Sequence, residues 1–353
     1  MDPTDLQNLS PREWLEHERQ THGCTDRTRT FRRALDDLLA QTGEDLPPEY
    51  EWLITNRYAD HTKDEFDDLQ IAVYWEPLKA LLSAKEREVL GDVYFGIFPT
   101  YSVNAYAGRT PRGDRVVMVH DALPTTVVCW ASFFLYTIEQ GGTVPNEQEE
   151  EVLNLLCWVA GAWKKNVRQL PLTLPNLMPE AELSQILMGV VAHSAMAFIL
   201  GHEAGHILER HTGYNPTDRN CNHSLEFAAD TWGLRLCLRS VVHNGAKLPI
   251  VYSRHMLLGP YLALATIATI TDIQGLRHPS ATERLERVVA QYKKLLIEIL
   301  TPEGFKLYQR EMGADFLRNT ESIGRKLYAR HKAFARLIDK VESALARKVA
   351  DLG

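Results

Sequence analysis

The sequence predicts an α+β fold that is mostly α, with a small β-hairpin set among many helices. Three observations predict it. Helical periodicity dominates residues 182–350. One strand signal is clear: YSVNAYAG (101–108) and DRVVMVHDAL (114–123) flank the turn-forming TPRG. The most apolar segment, ILMGVVAHSAMAFIL (186–200), runs directly into GHEAGHILERH (201–211), so a buried helix ends in ionisable groups.

The elements follow in order. SPRE (10–13) is a capping box with Pro11 at the first helical position, and helical patterns continue to about residue 41. DLPPEYEW (45–52) breaks them, and residues 65–90 are helical again. After the hairpin, residues 126–137 extend it or begin a helix. EQGGTVPNEQEEE (139–151) is an acidic loop, a helix is expected around 150–166, and PLTLPNLMPEAE (171–182) is punctuated by proline. Beyond 182 the helical breaks fall at 212–222, 243–250, 274–280 and 301–304. A charge-rich amphipathic helix is expected over 325–349.

The 353 residues suffice for one large domain or two modest ones. An apolar share of 45% and a charged share of 24% are ordinary for a globular protein with a sizeable core. A net charge of −7 argues against general nucleic-acid or anionic-membrane binding. The five cysteines are scattered and form no CxxC, as expected of reduced thiols in a cytoplasmic protein. The N-terminus is acidic and polar, unlike a signal peptide. Neither apolar run, 186–201 or 256–270, reaches the roughly 20 residues of a membrane span, so both are read as buried core helices.

The chemistry concentrates in HEAGH. His202 and His206 are four apart, so a helix puts both on one face, where two imidazoles can hold one Zn²⁺. Glu203, beside the first histidine, is placed to take a proton from water there. With 13 histidines and 46 acidic residues, such a pattern arises by chance in about six chains in a hundred, so more is needed. A catalytic zinc needs a third ligand and an open position. His211 lies about 140° around the helix from His206 and is poorly placed for that. Glu226, in EFAADTWG (226–233), is the better candidate. Asp230, four residues on, would accept the free ring N–H of a ligating histidine. The small pair Ala228-Ala229 would let the two helices approach, and TGYNPTDRNCN (212–222) connects them. The rival reading of Glu226 and Asp230 is an amphipathic helix with exposed acids.

HEAGHILERH followed by EFAAD resembles the HtpX-like and CAAX prenyl-protease family of gluzincins. RHPSATERL (277–285) resembles that family's downstream His-Pro…Arg segment, and SVNAYAG with DRVVMVHDAL its upstream cleft-lining hairpin. The resemblance implies a zincin-like metallopeptidase core over 101–290, with an insertion at about 124–190. Helical regions flank it at 1–100 and 291–353. It implies Zn²⁺ held by His202, His206 and Glu226, with Glu203 as catalytic base and Asp230 supporting a ligand. It places Asn104, His278 and Arg284 near the cleft. His278 either stabilises the oxyanion or merely opens a helix as His-Pro-Ser. An edge strand at Asn104-Ala105 could pair with an extended peptide. Family members are membrane proteins, whereas this chain has no convincing span. A relative without one is similar to the bacterial phage-exclusion endopeptidases of Lit type, which act on a translation factor. The implied partner is a protein substrate inside the cell, with a role in stress or antiphage defence. The alternatives are an inactive zincin-like binding protein and a membrane-associated protease.

Overall fold

The computed structural model describes residues 6–21, 63–98, 104–120, 182–211, 219–245, 247–271 and 278–329. It also describes helical positions 123, 124, 126–128, 130, 131 and 135. The expected helical patterns beyond Thr21, the acidic loop 139–151, the helix at 150–166, nearly all of the proline-rich stretch and most of 325–349 lie outside these residues.

Within them the protein is mostly helical with one three-stranded sheet. Helix α1 (Pro11–Thr21) starts at the SPRE box: the Ser10 N–H donates to Glu13 Oε2 at 2.8 Å, and the Glu13 N–H to Ser10 Oγ at 3.3 Å. Helices α2 (Lys63–Lys79) and α3 (Ala84–Leu90) follow, α3 behind a second capping box at Ser83 and Glu86.

Strands β1 (Tyr94–Phe98), β2 (Ala105–Arg109) and β3 (Arg115–His120) form a sheet in the order β1-β3-β2. β2 and β3 are the expected hairpin, antiparallel, closed by a turn in which Gly113 takes φ 97°. β1 pairs with β3 in parallel and is an addition to the sequence reading. Its middle residues are all buried, so YFGIF carries no alternation to betray a strand. Residues 123–135, where described, are helical and bury Leu123, Val127, Trp130 and Leu135, which settles the alternative left open there.

The remaining helices are α4 (Glu182–Leu208), α5 (Arg219–Gly245), α6 (Ile250–Met256), α7 (Gly259–Thr271), α8 (Ala281–Met312) and α9 (316–329). α8 kinks at Thr301, where φ is 65°, and Pro302 opens its second half. α4 is the hub, packed on α5, α7, α6 and β2. Ile186–Leu208 is long and apolar enough to cross a membrane, but 78% of that window is buried within the protein. α7 is likewise buried over Tyr261–Thr266.

Small residues set how closely α4 and α5 pack. A β-carbon on Gly205 would lie 3.0 Å from Ala229 Cα, and one on Gly233 only 2.5 Å from the Phe198 carbonyl oxygen. Ala229 of the expected small pair is thus on the seam, but the glycines allow the closest approach. Gly233→Ala is therefore expected to cost about 1–3 kcal/mol in denaturant unfolding, because the obstacle is backbone. The control is Gly189→Ala on the open side of α4, where nothing lies within 4 Å. It should be neutral or stabilising through helix propensity. Equal effects from the two changes would remove close packing as the reason for Gly233.

Candidate active site

The seam brings the end of α4 against the middle of α5. His202 and His206 come from one turn of α4, Glu226 and Asp230 from one turn of α5, and Arg284 from the first turn of α8. The Nε2 atoms of His202 and His206 are 3.1 Å apart. Glu226 Oε2 lies 3.6 Å from the first and Oε1 lies 3.5 Å from the second.

The proton assignments follow from the neighbours. Arg284 grips Asp230 with two bonds, Nε to Oδ2 at 2.9 Å and Nη2 to Oδ1 at 2.6 Å. Asp230 is then a carboxylate that only accepts, and His202 Nδ1, 3.0 Å from its Oδ1, must donate. In the neutral ring this leaves the Nε2 lone pair of His202 aimed at the His206–Glu226 space. His206 Nδ1 sits 2.7 Å from His211 Nδ1, and if His206 donates there its Nε2 lone pair joins the same space.

In those tautomers two nitrogen lone pairs and a carboxylate converge, a set that suits a cation. Four-coordinate zinc with bonds near 2.0–2.1 Å would put its ligand atoms about 3.3 Å apart. The observed 3.1, 3.5 and 3.6 Å match that spacing. His202, His206 and Glu226 are thus placed as a metal site would place them.

Burial pushes His202 down, but the Asp230 hydrogen bond and the Asp230 and Glu226 charges outweigh it and raise its pKa, so the site draws positive charge onto this ring and a cation would have to displace that proton. Burial pushes the Glu226 carboxyl up, but the His278 hydrogen bond and the His202 and Arg284 charges outweigh it and hold it well below the usual range. Asp230 is also held low, because Arg284 and His202 overcome the effect of burial. Burial, with the His202 charge, pushes His206 down to about 3, which keeps the ring neutral. Glu203 is buried and makes no part of the triangle. Burial raises its pKa and the Glu226 charge adds to that, outweighing the His202 and Arg284 charges and a hydrogen bond from the Ala107 backbone N–H on β2.

All the singled-out residues except Asp230 line one cleft of about 980 Å³. Asn104 is exposed at its wall, and its carbonyl accepts the His120 N–H at 2.9 Å. His278 is half exposed at the rim, with Nδ1 3.3 Å from Glu226 Oε2. Arg284 also touches the cleft but is only 5% exposed and serves chiefly to hold Asp230.

His211 is the residue that sequence reasoning passed over. It lies outside the triangle, yet its ring meets His206 because α4 ends in a Schellman turn. The His211 N–H reaches the His206 carbonyl at 2.9 Å and the Arg210 N–H reaches that of Ile207 at 3.1 Å. Arg210 takes the left-handed φ of 56° that such a turn demands, at a place where glycine would be easier. Treating the helix as continuous past Leu208 hid the contact; the sequence carries no glycine to mark the stop.

β2 faces the site from the opposite wall. Asn104 pairs with His120 and Thr110 with Asp114 through backbone bonds, so along β2 the even residues bond to β3. The N–H and C=O groups of Ala105, Ala107 and Arg109 therefore point away from β3, to the edge beside the cleft that no described strand covers, where the Ala107 N–H meets Glu203.

No curated protein and no solved structure matches the chain. A family model described as Peptidase U49 matches residues 137–296, a stretch that contains His202, Glu203, His206, Glu226, Asp230, His278 and Arg284. Over the segment that supplies this polar centre the chain is similar to a family of peptidases, and the match supports a protease.

Proposed function

We propose that the protein is a zinc-dependent endopeptidase of gluzincin type that cuts an intracellular protein. The observation that carries this reading is the convergence of His202, His206 and Glu226, with Glu203 one residue from the first of them and facing the same cleft. A Zn²⁺ held there would supply Lewis acidity to the scissile carbonyl and to water.

The chain's own residues do the rest. The outward groups of Ala105 and Arg109 and the Ala107 carbonyl align an extended peptide across the cleft, while the Ala107 N–H holds Glu203. Glu203 takes a proton from the attacking water and passes it to the leaving amine. His278, at the rim, donates to the oxygen on which negative charge develops. Asp230, clamped by Arg284, fixes the ring of His202, and His211 does the same for His206. By similarity to phage-exclusion endopeptidases, the reading extends to a cytoplasmic role in stress or antiphage defence.

The test compares newly formed protein termini in cells expressing the parent or Glu203→Gln. Termini present with the parent and absent with the variant support the reading; identical sets remove it and leave a binding protein on a peptidase scaffold. The part given to His211 has its own measurement. His211→Ala should weaken zinc retention against a chelator by about 10–100-fold, since a ligand's orienting partner is lost. Retention equal to the parent's would assign His211 to the helix end alone.

A further inference from the structure

Among the described residues, and outside the triangle, Glu203 and the buried Arg284, the formally charged side chains lining the cleft are all cationic: Arg109, Arg115 and Arg210. Arg109 and Arg115 are direct partners across the β2–β3 ladder. They form a pair whose backbones do not bond to each other, the kind with the closer side chains. Like charges so placed destabilise a hairpin. Facing each other brings the two arginines no gain in folding; each has a separate local contact instead.

The two arginines differ in what neutralises them. Arg115 Nη2 lies 2.6 Å from Asp92 Oδ1. Arg109 is exposed, and among the described residues its guanidinium meets a neutral acceptor, the Gly113 carbonyl, at 2.8 Å and no carboxylate. Its position is specific. Arg109 shares a strand face with Ala105 and Ala107, which pack toward the main core beside α4, whereas Tyr106 packs on the α1 side. It stands two residues, about 7 Å along an extended strand, from Ala107, whose N–H meets Glu203. Its own backbone groups also belong to the free edge. One residue thus offers a peptide strand both main-chain pairing and an uncompensated positive charge.

We propose that Arg109 selects the substrate: it receives the side-chain carboxylate of an Asp or Glu about two residues from the bond to be cut. This rests on the endopeptidase reading for the meaning of that bond, but the binding preference itself does not. A peptide's terminal carboxylate has the same chemistry, so the test separates the two sources.

The experiment is affinity selection of a randomised decapeptide pool on immobilised Glu203→Gln protein, once with amidated and once with free C-termini. Cleavage of the same pools by the parent is measured in parallel. The expected result is enrichment of Asp and Glu at one position in the amidated pool by about fivefold, as one accessible ion pair allows. Adding Arg109→Gln should abolish the enrichment, and adding Arg115→Gln should leave it. No enrichment, enrichment that survives Arg109→Gln, or enrichment confined to free C-termini overturns the proposal. Enrichment that depends on Arg109 with no cleavage by the parent supports the binding preference and removes the peptidase reading instead.

Discussion

Glu203→Gln is expected to lower kcat/KM on a verified substrate by about 10²–10⁴-fold, the usual contribution of a positioned general base. The amide has nearly the same shape as the carboxylate and can still accept the Ala107 N–H, so the buried site should stay packed. What it cannot do is take up a proton. Because that transfer occurs on the way to the transition state, the loss should fall mainly on kcat, with KM little changed. Zinc content should remain that of the parent, since Glu203 is not one of the three converging groups. Parental turnover in a zinc-loaded variant would take the base role from Glu203.

Arg284→Met is expected to cost about 3–5 kcal/mol in the metal-free protein. Arg284 makes two bonds to Asp230, and its Nη1 also lies 3.8 Å from Glu226 Oε2. Both carboxylates are about 1% exposed, so removing the guanidinium leaves two buried negative groups with less to balance them. A bound Zn²⁺ would restore part of the missing positive charge. Denaturant unfolding should therefore show a larger loss without zinc than with it, and adding Asp230→Asn to Arg284→Met should recover some stability. A loss below about 1 kcal/mol without zinc would place Arg284 among ordinary surface ion pairs.

How much of this was legible in the sequence differs from element to element. The HEAGH helix, the turn after it and the EFAAD helix show themselves through spacing, because a 3.6-residue repeat fixes which side chains share a face. The β2–β3 hairpin is legible because TPRG separates two runs rich in strand-forming residues. β1 is not, since its buried residues face neighbours on both sides and no polar residue marks a surface. The alanines after Glu226 suggest close helix packing, yet Gly205 and Gly233 prove tighter, and only the crossing of α4 and α5 reveals which faces meet. His211 was legible as a histidine five residues after His206 but not as its partner. The left-handed turn at Arg210 brings the ring back, and that turn depends on backbone angles no residue type here announces.

The sequence by itself determined the residue types of the candidate metal site and their pairing within each helix, because neighbours three or four apart are forced together by the helix alone. Tertiary structure decided which pairs face each other. It also buried Arg284 against Asp230 from a third helix and set Arg109 on a free strand edge beside Glu203. Those relations join residues far apart in the chain, and only packing, which depends on the shape of every surface involved, brings them within reach.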